Sequence, residues 1–224
     1  MTLDLFARIS HAQVYLAILI VIFCGLYFSK RCIESKVLGL HYLFGLLPSL
    51  IFLLVPMKGK EYNIPQNVYL VLQLIIISLL FYKAVLGKYK GLFISVTLGF
   101  LVFGFINILF IQKNDINTYT KTLSSVILIF YCVLYYYRLL VDLPVQHLHK
   151  LPMFWYSMAF LMYNAGTLFL MLFTSYLVEV LHNDLLIYWT FHNILDIVQN
   201  LIVMVGLWKE LQHIRSRSLL PLVQ

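Results

Sequence analysis

Seven apolar runs divide the chain, each closed by charged or turn-forming residues. They cover residues 12–29, 37–56, 67–86, 92–111, 121–141, 153–178 and 185–208. A run of about 20 apolar residues carries a helix across the hydrocarbon core of a bilayer. The pattern therefore predicts an all-α, polytopic membrane protein with seven transmembrane helices, forming one domain over 1–224. Residues 1–11 make a short polar start, with a helix expected to begin at Leu3. Pro48 falls near the middle of the second segment, where a kink is expected. Ser95 and Gly99 give the fourth segment a small face for close helix packing, and Gly166 is expected to do the same for the sixth.

The seventh segment, LLIYWTFHNILDIVQNLIVMVGLW, breaks the apolar pattern. It carries His192, Asn193, Asp196, Gln199 and Asn200 in its middle. On a helix, residues 192, 196, 199 and 200 share one side, with 193 at its margin. At about 1.5 Å per residue, Asp196 lies roughly 16 Å from the start of the segment, near the bilayer midplane. A carboxyl at that depth costs about 2.5–3.5 kcal/mol on insertion scales, so it should face protein or water. Asn164 of the sixth segment lies at a similar depth, with Thr167 one turn further out. Gln73 of the third segment falls in the outer half or middle. The candidate ligand-binding residues are therefore Asp196, His192, Asn193, Gln199, Asn200, Asn164, Thr167 and Gln73. Two other readings stand beside this one. The polar groups can be hydrogen-bonding contacts between helices, and His192 with Asp196 can be a self-satisfying pair four residues apart.

Composition agrees with the segments. The chain is 62% hydrophobic and 11% charged, against about 25% charged in soluble domains. The segments leave no room for a soluble enzyme domain. The net charge of +7 sits in short clusters at segment ends, so no nucleic-acid partner is expected. With the C-terminus placed inside, 11 of the 16 Lys and Arg residues fall on inner positions and five, Arg8, Lys58, Lys60, Lys113 and Lys121, on outer ones. Inner loops carry the excess of positive charge, which predicts an N-out, C-in orientation. Tyr135, Tyr136 and Tyr137, next to Arg138, read as an anchor at the inner interface.

The chemistry carried by the remaining residues is limited. Cys24, Cys32 and Cys132 form no pairing pattern, and no Cys/His cluster suggests a metal. His147 and His149 read as loop residues. A retinal protein needs a lysine deep in the last helix, and the seventh segment has none before Lys209. Zinc hydrolases need several intramembrane histidines with carboxylates, and only His41 and His192 are available. No catalytic residue, cofactor or metal is expected.

Residues 154–177 (FWYSMAFLMYNAGTLFLMLFTSYL) and 188–210 (YWTFHNILDIVQNLIVMVGLWKE) carry a resemblance. With Phe154, Trp155, Tyr163, Gly166, His192, Asn193 and Asn200 as its marks, this part of the chain resembles uncharacterised bacterial seven-helix membrane proteins. Related segments form the membrane sensor part of some histidine kinases. The resemblance implies signalling by association and assigns no ligand. No kinase domain is expected after the seventh segment, so a signal would pass through a partner such as a histidine kinase. The expectation is a non-enzymatic, multi-pass protein of the inner (plasma) membrane. In contact with membrane lipids, it would sense a small ligand or a proton at a polar intramembrane site. The alternatives are a small-molecule or ion-coupled transporter and a structural subunit of a membrane complex.

Overall fold

The structure, a computed structural model, describes residues 3–54, 63–85, 89–111, 118–142, 148–179 and 185–219. Among these, all regular structure is helical: α1 (Leu3–Gly25), α2 (Ile33–Leu54), α3 (Asn63–Ala84), α4 (Lys90–Ile106), α5 (Thr118–Asp142), α6 (Pro152–Glu179) and α7 (Leu185–Leu219). Each predicted segment corresponds to one helix, and α1 begins at Leu3 as its sequence suggests. It ends four residues early because Tyr27 adopts a left-handed backbone (φ 56°), which an α-helix cannot accommodate. A short 3-10 turn, Phe28–Lys30, follows. Helix α2 continues through Pro48, and α4 passes into a π-helical turn at Asn107–Ile111. Helix α7 runs eleven residues past its expected end at 208.

The helices close into a ring. Helix α7 packs on α6 and α1, α1 on α2, α2 on α3, α3 on α5, and α5 on α6. Helix α4 lies against α3 and α5. Side-chain pairings fix the directions: Ser10 meets Asn193, Gln13 meets Asp196, and Arg31 meets Glu210, so α1 and α7 run parallel.

An aromatic cluster lies within the core. Phe93 and Tyr131 have ring centroids 4.6 Å apart, and Phe81 lies 6.1 Å from Tyr131 and 6.5 Å from Phe160. Tyr135 belongs to this core, with its ring 6.5 Å from that of Phe81. Of the three tyrosines read as an anchor, only Tyr137 is exposed, since the turn of the helix sends its neighbours inward.

The outside of the bundle is apolar. Phe110 is 77% exposed, Phe105 66% and Leu140 64%, with exposed Leu, Ile or Val side chains on six helices and exposed Met162 and Phe169 on α6. A continuous apolar exterior of this kind is foreign to soluble monomers. Three helical stretches, Asp4–Gly25, Lys90–Ile111 and Tyr119–Val141, are long and apolar enough to cross a membrane, and Val68–Ala84 is a shorter apolar stretch. Together these features suggest a membrane protein.

Glycine sets the closest helix approach. A Cβ built on Gly206 would sit 2.5 Å from the Tyr156 ring and 3.1 Å from Trp155 Cβ, and one on Gly166 would sit 2.8 Å from Leu195. Helices α6 and α7 thus meet over two glycines. The expectation for Ser95 and Gly99 is corrected: both are exposed, and a Cβ on Gly99 meets nothing within 4 Å. The small face of α4 points away from its neighbours. Gly206→Ala is expected to destabilise the protein by about 1–3 kcal/mol through overpacking, read as a lower unfolding midpoint in detergent. Gly99→Ala is expected to leave that midpoint unchanged or raise it.

Candidate functional site

The polar residues of α7 fan out to four other helices. Asp196 accepts a hydrogen bond from the Gln13 amide of α1. One turn earlier, Asn193 Nδ2 donates to Ser10 Oγ at 2.9 Å. His192 turns to the other side, where Lys121 Nζ of α5 lies 2.5 Å from its Nε2 and Tyr163 Oη of α6 lies 3.4 Å from the same atom. The Tyr163 and Trp189 rings flank the imidazole at centroid distances of 5.7 and 5.8 Å. Two turns further along, Asn200 Oδ1 accepts from Tyr42 Oη of α2 at 2.8 Å. Lys121, Tyr42 and Tyr69 all lie within electrostatic reach of Asp196.

The cluster thus brings together His192, Asn193, Asp196 and Asn200. Gln199 is buried on the same helix. The other predicted residues behave differently. Asn164 Nδ2 donates to Phe160 O at 2.7 Å and Thr167 Oγ1 to Asn164 O at 3.2 Å, both bonds internal to α6. Gln73 is half-buried on α3, and among the described residues no hydrogen bond joins it to the cluster. His192 and Asp196 are not a self-satisfying pair, because their hydrogen bonds run to Lys121 and Tyr163 on one side and to Gln13 on the other.

Sequence reasoning missed the partners on the other helices, Lys121 and Gln13 among them. Lys121 counted there as an outer surface charge. Its helix starts at Thr118, so its long side chain leans inward from the first turn and reaches His192. Gln13, near the start of the first segment, was missed as well. The signal that would have flagged both is a polar residue about one turn inside a segment end, on the face aligned with the apolar core.

A second polar centre lies at the opposite end of α1 and α7. The Arg31 side chain is fully buried and forms an ion pair with Glu210, Nη1 to Oε2 at 2.5 Å. Its Nε donates to Leu26 O at 3.1 Å and its other terminal nitrogen to Phe23 O. Arg31 therefore satisfies open carbonyls at the end of α1. Glu210 Oε1 also accepts from the Cys32 backbone N–H at 2.7 Å. The chain of contacts continues from Cys32 Sγ to Ser35 Oγ at 3.3 Å and on to Tyr156 Oη at 2.8 Å. Burial, then the bond to Glu210, pushes the Cys32 thiol up to about 12, so it stays neutral. Burial raises Glu210 too, but its bonds with Cys32, Ser35 and Arg31 outweigh that and hold its carboxyl below the usual range. Arg31, one of the inner positions of the charge count, is thus buried and paired.

Cys24, Cys32 and Cys132 are free thiols. Among the described residues no group of three or more His, Cys, Asp and Glu could hold a metal ion. His149 is exposed, and its carbonyl accepts from Trp155 Nε1 at 2.9 Å. His147 lies outside the described residues, as do Lys58, Lys60, Lys88 and Lys113 of the charge count.

Compared with protein-family models, curated proteins and solved structures, the chain matches none.

Glu210→Gln removes one partner of a buried ion pair and is expected to cost about 3 kcal/mol. A carboxyl held below its usual range contributes stability that is complete above the ordinary glutamate value and lost as pH falls through the depressed one. The gap in unfolding midpoint between wild type and Glu210→Gln should therefore narrow on acidification.

Proposed function

We propose that this protein is a non-enzymatic sensor of the inner (plasma) membrane, crossing it with seven helices, N-terminus out and C-terminus in. The observation that carries the reading is a lysine, a histidine and a carboxylate, contributed by α5 and α7, gathered beneath an apolar exterior. Intramembrane ionisable groups are costly and mark functional sites by default. The excess of Lys and Arg on the C-terminal side supports the orientation. In that orientation the cluster sits in the outer half, open to influence by a small external ligand or a proton.

Helix α7 supports a relay. One continuous helix carries Asp196 at the cluster and Glu210 at the opposite end. A stimulus that binds two states of the cluster with different affinity shifts α7 between them. Residues 209–219, on the inner side, would then present a changed surface to a membrane signalling partner, with a histidine kinase as the partner class the resemblance suggests. An ion-coupled transporter would use the same charges, with Asp196 as the coupling carboxylate.

The test uses the full-length protein in nanodiscs, exposed to a panel of small polar solutes and to pH steps, with hydrogen–deuterium exchange over 209–219 as the readout. At least one condition is expected to change exchange there and to stabilise the protein. Asp196→Asn is expected to abolish both effects while the protein still inserts. A variant that responds as wild type does would remove Asp196 from the mechanism. Solute uptake into proteoliposomes that vanishes in Asp196→Asn would favour the transporter instead.

A further inference from the structure

Lys121 Nζ lies 2.5 Å from His192 Nε2. An ammonium offers three donors and no acceptor. With the lysine protonated, the contact is a hydrogen bond only when Nε2 holds a lone pair and no proton. The imidazole is then neutral, with its one N–H on Nδ1, which is buried and has no partner among the described residues. The arrangement leaves the Nδ1–H without a partner, and the lysine imposes it. Tyr163 Oη, at 3.4 Å from the same Nε2, is a second donor waiting on that lone pair.

Adding a proton reverses the geometry. A proton on Nε2 turns that atom from acceptor to donor and sets an imidazolium against an ammonium. The ring then repels Lys121, and the carboxyl of Asp196 lies within electrostatic reach of that lysine. Asp196 is at present bonded to Gln13 of α1. The charged and titratable groups around the pair are Lys121 from α5, Tyr163 from α6 and Asp196 from α7 itself. Tyr42 and Tyr69, from α2 and α3, lie on the Asp196 side. From α1 come the neutral side chains of Ser10 and Gln13.

Resting on the sensor reading above, we propose that the ligand of this site is the proton, bound at His192 Nε2, and that its uptake transfers Lys121 from His192 to Asp196 in place of Gln13. The bond that forms is N–H at Nε2. The contacts exchanged are Lys121–His192 for Lys121–Asp196, and Gln13 of α1 loses its carboxylate. Acidification thereby loosens the α1–α7 seam at its outer end, while Arg31 and Glu210 hold the other end.

The test is nitrogen NMR of the full-length protein, labelled with ¹⁵N-imidazole histidine, in nanodiscs between pH 4 and 9. The His192 signal is assigned by its loss in His192→Gln. At pH 8 the wild type is expected to show the neutral tautomer protonated on Nδ1. Lys121→Met is expected to raise the His192 titration midpoint by about one pH unit or more, because a cation in contact with the ring is gone. A wild-type ring protonated on Nε2 at pH 8, or a midpoint unmoved by Lys121→Met, would overturn the proposal. The tautomer is read on the wild type, so the outcome does not depend on the variant folding. Exchange over 209–219 in the same samples reports separately on the sensor reading. Unchanged exchange with the expected titration removes the sensor and keeps the proton site. Changed exchange without that titration keeps the sensor and removes the proton site.

Discussion

A buried polar group that finds no partner costs several kcal/mol in an apolar surrounding, and α7 carries five polar side chains between His192 and Asn200 that need partners. Four of them are bonded to other helices: Gln13 and Ser10 of α1, Tyr42 of α2, Lys121 of α5 and Tyr163 of α6. No rotation of α7 about its axis keeps all of these bonds except the one observed. The apolar contacts around the ring are less directional and tolerate small shifts. The polar face of α7 thus fixes the register of the bundle, and the aromatic core fills the space that this register leaves.

The α1–α7 seam is closed by polar contacts at both ends. At one end two hydrogen bonds join neutral side chains of α1 to Asn193 and Asp196. At the other, a buried ion pair joins Arg31 to Glu210 and ties in the start of α2 through Cys32 and Ser35. Arg31 also satisfies carbonyls of α1, so the pair serves as helix cap and interhelical lock at once. Buried ion pairs rarely add much net stability over apolar substitutes, but breaking one is costly. That asymmetry suits a joint that holds one arrangement firmly. Between the two ends, Gly166 and Gly206 bring α6 close to α7, so a displacement of α7 presses Leu195 on Gly166 and Gly206 on Trp155 and Tyr156.

Much of this protein was determined by its sequence alone. Seven apolar runs bounded by charge map one-to-one onto seven helices, because burying or lipid-facing an unbroken apolar stretch leaves the backbone no other way to satisfy its own hydrogen bonds. The inward face of α7 was legible too, since a carboxylate and its polar neighbours at helical spacing have one side to share. What the tertiary structure alone decided is who meets whom. Lys121 and Arg31 look in sequence like ordinary interface charges, yet both are drawn into the protein by their long side chains and by a partner more than 70 residues away, His192 for one and Glu210 for the other. Asn164 and Thr167 look like site residues, yet they bond their own helix. Periodicity tells which face of a helix is polar; the rotation and neighbours of that helix, which arise only from packing all seven together, tell what the polar face touches.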